Sequence, residues 1–164
     1  MAGLRKSTLP LVILLAALVN TNIVLAQDTH PEHGAVVEVV DQFFEGLNTD
    51  NQALLASISI DGANIYSLRE RADSKFELRT RRQDNSTLTP NNGEYTERYW
   101  DETVLVSDMM AVFWAPYDFY VNGEFSHCGI DVFDLIKLDG EWKISNTMYT
   151  VIRDNCPDSP LGAL

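Results

Sequence analysis

The chain has 164 residues, 45% of them hydrophobic and 22% charged, with 24 Asp and Glu against 12 Lys and Arg and a formal net charge of −12. That length suits one domain with a single core. Such an excess of acid argues against nucleic acid and anionic lipid as partners.

Arg5 and Lys6, the apolar run Leu9 to Val19 and the small-residue end at Ala26 have the layout of a cleaved secretory signal peptide. The run is short of the ~20 apolar residues that a spanning helix needs. The reading is therefore a signal peptide over 1–26, a flexible segment over 27–34, one domain over 35–156 and a tail over 157–164. Cleavage would leave a secreted or periplasmic protein with no membrane attachment. Loss of Arg5 and Lys6 would take the net charge from −12 to −14. The two cysteines, Cys128 and Cys156, are expected to pair in that oxidising setting.

In chain order, Ala35 to Asn48 carries apolar residues at 36, 39, 40, 43, 44 and 47, one stripe of an amphipathic helix. Asp50 is expected to cap a second helix over Gln52 to Ser57. Ala63 to Glu70 has the β-favouring Ile65 and Tyr66, whereas residues 72–95 are polar and weakly patterned. Within them Arg79, Arg81 and Arg82 form a basic cluster, read as a solvated turn in preference to an anion site. Asn85-Ser86-Thr87 is a glycosylation sequon. Strands are then expected over Arg98 to Val106, Met109 to Val121, Glu124 to Leu138 and Glu141 to Ile152, the last three joined by Asn122-Gly123 and Asp139-Gly140 turns. Helices followed by a run of antiparallel strands give an α+β domain.

Two-residue turns set register. They predict Asp118 facing His127, Pro116 facing Gly129 and Trp114 facing Asp131, with Asn146, Met148 and Ile152 on the same side. That side mixes polar and aromatic groups, which suits a pocket. Trp114, Asn146, Met148, His127 and Asp131 are the candidate ligand-binding residues. His127, with Asp118 or Asp131 orienting it, is the candidate acid–base group; a structural ion pair fits the same residues. Both sheet faces are apolar enough to need cover, one from the helices and one from a second copy, giving a homodimer. No HExxH, CxxC, GxSxG or Gly-rich phosphate motif is present, so neither metal nor cofactor is expected.

With these elements in hand, the order of two helices, a strand, a polar segment and a long meander resembles the NTF2-like (SnoaL-like) superfamily. The stretch WAPYDFYVNGEFSHCGIDVFDLIKLDGEWKIS, with RDNC beyond it, is similar to exported bacterial proteins of the SnoaL-like and lumazine-binding-like kind. Cys128 in SHCG and Cys156 both match that pattern. The resemblance implies a cystatin-like cone, with N-terminal helices packed on a curved antiparallel sheet. It also implies one of three functions. These are a cone that binds a small, partly aromatic molecule, an isomerase, dehydratase or cyclase using His127, and an accessory domain that binds another protein.

Overall fold

The apolar stripe predicted from Ala35 onward forms helix α1, His33–Asn48, and buries Val36, Val40 and Phe44. The computed structural model describes residues 30–71, 73 and 75–164, so the expected signal peptide lies outside the described residues. Glu32, in the segment read as flexible, is pinned: Lys137 Nζ and Trp142 Nε1 donate to its Oε2 at 2.8 and 2.9 Å. Helix α2, Gln52–Ile58, is capped by Asn51, whose side chain accepts from the Leu54 amide at 3.1 Å. The expected cap, Asp50, takes a left-handed φ of 56° and accepts instead from Gln52 Nε2 and the Asn91 amide.

Seven strands follow: β1 Ser59–Glu70, β2 Phe76–Arg82, β3 Tyr95–Tyr99, β4 Thr103–Ser107, β5 Met110–Val121, β6 Glu124–Leu138 and β7 Glu141–Val151. The order across the sheet is β2-β1-β7-β6-β5-β3, with β4 also pairing β5. All neighbours are antiparallel except β1 and β7, so the sheet is mixed where the expectation was purely antiparallel. Strand β2 falls in the segment that lacked a pattern. It is exposed along most of its length, so no buried face imposed an alternation to read. The predicted strand Arg98 to Val106 is two strands, because Trp100-Asp101-Glu102 interrupts it and Asp101 has φ 48°. Both halves lie along β5. The Asn122-Gly123 and Asp139-Gly140 turns form as predicted, with all four residues at positive φ.

The turns do not carry their register into the sheet. Val121 pairs with Glu124 and Tyr120 with Phe125, but Phe119 pairs with His127, leaving Ser126 as a bulge. Between β6 and β7, Asp134 pairs with Asn146 and Leu135 with Ile144, leaving Ser145 as a second bulge. Each extra residue reverses which face the following side chains occupy. Asp118 thus pairs with Cys128, Tyr117 with Gly129, Ala115 with Asp131 and Trp114 with Val132. The predicted facing pairs Asp118–His127 and Trp114–Asp131 are replaced.

The inner face divides into two halves. Phe113, Phe133, Leu135, Trp142 and Ile144 pack under Val36, Val40 and Phe44 of α1 in a continuous core. Phe133 meets Phe43 at 4.8 Å and Phe113 at 5.9 Å, both edge-on. Further along the same strands, the inward residues are Tyr117, Phe119, His127, Asp131, Thr147 and Tyr149, and there the sheet stands away from the helices around a cavity.

Asn85 is not a free sequon. Its Nδ2 donates to the carbonyls of Ala56 and Ser59 at 3.2 and 3.1 Å, tying the loop to the end of α2. Among the described residues no helix is long and apolar enough to cross a membrane.

Cys128 and Cys156 are bonded, as expected, with Cα atoms 5.9 Å apart. The bond ties the C-terminal segment to β6 beside the Cys128–Ile152 backbone bridge. A 28-residue closure is worth roughly 3 to 4 kcal/mol in the chain-entropy model. Replacing both cysteines by serine is expected to lower stability by about that amount in urea melts. A loss below about 1 kcal/mol would mean that the backbone bridge alone holds the segment.

Candidate functional site

The cavity measures about 820 Å³ and is bounded by the end of α1, by α2, by the loop 83–92 and by the open halves of β1, β3, β5, β6 and β7. Its floor is polar. Asp131, opposite Ala115 and Tyr149, is 3% exposed, and Glu97 of β3 is 9% exposed. Sheet curvature brings these two side chains into hydrogen-bond contact although β5 separates their strands. Two carboxyl groups this buried cannot both ionise at low cost. Burial raises Asp131 from 3.8 to about 7, partly offset by the hydrogen bond from Glu97. Glu97 is held well above the usual carboxylate range, by burial first and then by the charge of Asp131. Burial and the neighbouring charge thus favour the protonated form of Glu97, which donates to Asp131. No N–H or hydroxyl of the described residues donates to the buried Asp131 Oδ2.

Tyr117 lies beside this pair. Its hydroxyl donates to the Thr150 carbonyl at 2.6 Å, and burial followed by the Asp131 and Glu97 charges pushes its ionisation far up. It is a neutral phenol at any physiological pH.

His127 does line the cavity, but not beside the carboxylates predicted to orient it. Its ring stacks on Phe119 at 4.7 Å and meets Tyr117 edge-on at 5.7 Å, with Nδ1 3.0 Å from Ser126 Oγ. Burial, then the positive charges of Arg153 and Arg69, lower it from 6.5 to about 4. The imidazole is neutral at pH 7 and has no carboxylate to orient it. Asp131 is four residues further along the strand, roughly 13 Å at ~3.3 Å per residue. Asp118 is on the opposite face, clamped by Arg98 Nε and Nη2 at 2.9 and 2.5 Å. That arginine also donates to Tyr120 Oη and to the Gly162 carbonyl.

The Ser126 and Ser145 bulges likewise place Trp114, Asn146 and Met148 outside the cavity. Trp114 and Met148 are 41% and 46% exposed on the outer face. Asn146 Nδ2 donates to Asp134 Oδ2 at 2.8 Å on that side. Of the predicted site residues, the cavity therefore gathers His127 and Asp131 and leaves out Asp118, Trp114, Asn146 and Met148. Sequence reasoning missed Glu97, Tyr117 and Arg69. Glu97 did leave a signal: in the alternation Tyr95, Glu97, Tyr99 a charge occupies the phase that its aromatic neighbours mark as inward.

No family model and no curated protein sequence matches the chain. Solved structures do. A protein of unknown function with a cystatin-like fold from Nostoc punctiforme aligns at TM-score 0.57 and 9% identity, over 81% of this chain and 97% of that one. An NTF2-like superfamily protein from Salmonella enterica aligns at TM-score 0.56 and 12% identity, over 74% and 91%. A Novosphingobium aromaticivorans protein named as a candidate scytalone dehydratase aligns at 0.53 and 11%, over 74% and 84%. Two helices on a curved, unclosed sheet of seven strands, matched at this level, give the chain the cystatin-like fold of the NTF2-like superfamily.

Proposed function

We propose that the cone binds a small, partly aromatic molecule, with Phe119 and Tyr149 as its walls and the Glu97–Asp131 acid pair as its polar anchor. The observation that carries this reading is the buried Glu97–Asp131 pair in the cavity wall, whose Asp131 Oδ2 receives no N–H or hydroxyl from the described residues. Buried carboxyl oxygens have room for more than one donor, and a ligand N–H or O–H would supply another here. A second reading rests on the value of about 7 for Asp131. A base poised near neutrality, beside a carboxylic acid, suits proton transfer next to a carbonyl, as an isomerase, dehydratase or cyclase requires. In that reading Asp131 is the base and His127 a neutral wall. The name of the Novosphingobium neighbour is in keeping with it.

The outer face is proposed to meet a second copy of an exported protein. Leu105, Met110, Val112, Trp114 and Met148 are exposed on that face, with the half-buried Asp134 across from Val112. An exposed apolar patch of this kind suits a contact between two copies.

Native mass spectrometry of the protein purified from its own host tests these readings. The expected result is a dimer carrying a reproducible extra mass that the Asp131→Leu variant loses. A protein that stays bare after incubation with a small-molecule extract overturns the ligand reading, and a monomer at micromolar concentration overturns the dimer.

A further inference from the structure

The distribution of positive charge identifies the class of ligand. Among the described residues, the cations away from the cavity are Arg71, Lys75, Arg79, Arg98, Lys137 and Lys143. Each has a carboxylate within 4.0 Å: Asp73 for the first two, then Glu77, Asp118, Glu32 and Glu141. That is what 24 acids around so few cations should produce. The four arginines lining the cavity break the pattern. Arg69, Arg81, Arg82 and Arg153 form no such pair with any described carboxylate.

Their arrangement keeps the charge available. Arg69 is held by neutral partners, donating to Ser67 Oγ at 3.2 Å and to Tyr149 Oη at 3.3 Å, with its guanidinium 6.0 Å from the Tyr149 ring. Arg82 donates to Asn64 at 3.5 Å, at the limit of a hydrogen bond. Arg81 lies opposite Ile65, whose side chain is on the inner face. Three carboxyl groups also line the cavity, and none is paired with these cations. Asp84 is taken up by the Ser86 amide and hydroxyl at 2.9 and 2.6 Å. Glu97 and Asp131 are engaged with each other on the floor. The rim is thus a cationic arc in an otherwise acidic molecule, with aromatic walls beneath it.

We infer that the ligand of this cavity is an aromatic anion, its carboxylate, sulfonate or phosphate held at the rim by Arg69, Arg81 and Arg153 and its uncharged ring inserted between Phe119 and Tyr149. This rests on the cavity being a ligand site. Planar guanidinium groups suit such oxyanions by bidentate hydrogen bonding. The ring end needs no charge, because the groups around Phe119 and Tyr149 include the neutral His127 and Tyr117.

Two fluorescent probes that share a ring system and differ by one charge provide the test. They are 8-anilinonaphthalene-1-sulfonate and its neutral parent, N-phenyl-1-naphthylamine, titrated into the purified protein. Arg81 and Arg153 are exposed and without carboxylate partners, so Arg81→Ala with Arg153→Ala should leave the fold intact, as circular dichroism would confirm. The sulfonate is expected to bind at least about tenfold more tightly than the parent, and the double variant to lose that preference. Lysine at both positions should restore part of it. Equal affinity for both probes, or sulfonate binding indifferent to the double substitution, overturns the anion and leaves the cavity reading in place. Failure of both probes to bind overturns the cavity reading and this inference together.

Discussion

Gly129→Ala is expected to cost about 4 kcal/mol or more, enough to leave the domain largely unfolded at 37 °C. A methyl group at residue 129 would stand 2.0 Å from the Thr150 carbonyl oxygen, 2.7 Å from Tyr117 Cε1 and 2.8 Å from Thr150 Oγ1. The first contact is with backbone, which cannot swing aside. All three atoms also have other work. The Thr150 carbonyl accepts from Tyr117 Oη at 2.6 Å, and Thr150 Oγ1 accepts from the Ile130 amide at 2.9 Å. Relieving the clash therefore breaks the bonds that seat Tyr117 over β6. The effect can be read as soluble yield and as the midpoint of urea denaturation. A variant that melts within about 1 kcal/mol of the parent would mean that Tyr117 does not lie over Gly129 in solution.

Asp131→Asn is expected to change how stability depends on pH, by on the order of 4 kcal/mol across the range from pH 4 to pH 7. The folded-state value of Asp131 is raised from 3.8 to about 7. Between those values the native protein holds a proton that the unfolded chain has released, so this group's contribution to stability falls as pH rises. Above about pH 7 its contribution is flat, while Glu97, also raised, contributes in the same sense. His127 acts in the opposite sense. Its folded value is lowered from 6.5 to about 4, so its contribution increases as pH rises through that window. In the parent the two largely oppose each other below pH 6.5. Asparagine removes only the falling part. The quantity to measure is the stability difference between variant and parent in melts from pH 4 to pH 8, because background charge cancels in it. The difference should shift in favour of the variant as pH rises. A difference independent of pH would show that Asp131 is ionised throughout and that the acid pair does not exist.

What could be read from the sequence was whatever repeated or whatever a turn dictates locally. The stripe of α1 carried its buried face in its spacing, and Asn122-Gly123 and Asp139-Gly140 announced their positive φ values by residue type. Strand β2 could not be read, since an exposed edge strand has no apolar phase to reveal it. The candidate site suffered most from a different cause. Register was extrapolated from the turns, but the native register is set by burial of Phe113, Phe133, Leu135 and Ile144, and Ser126 and Ser145 bulge out to reconcile the two. Neither serine is distinctive as sequence. One residue of slippage was enough to move Asp118, Trp114, Asn146 and Met148 to the other face. Within each strand the apolar phase was the better guide. Asp131 falls in phase with Phe133 and Leu135, and Glu97 in phase with Tyr95 and Tyr99, and a carboxyl group in an apolar phase was the mark of the cavity floor.

The lengthwise partition of strands β5, β6 and β7 has an evolutionary consequence. Each strand devotes one end to the aromatic core under α1 and the other to the cavity, so the residues that build the core are largely separate from those that shape the cavity. Exchange of Phe119, Thr147, Tyr149 or Arg81 alters shape and charge around the cavity while leaving Phe113, Phe133 and Ile144 in place. A lineage built on this plan can therefore change its specificity by small steps, each compatible with a folded intermediate. Tyr117 and Gly129 are the exception, because they belong to both halves, and at those positions drift in specificity should stall.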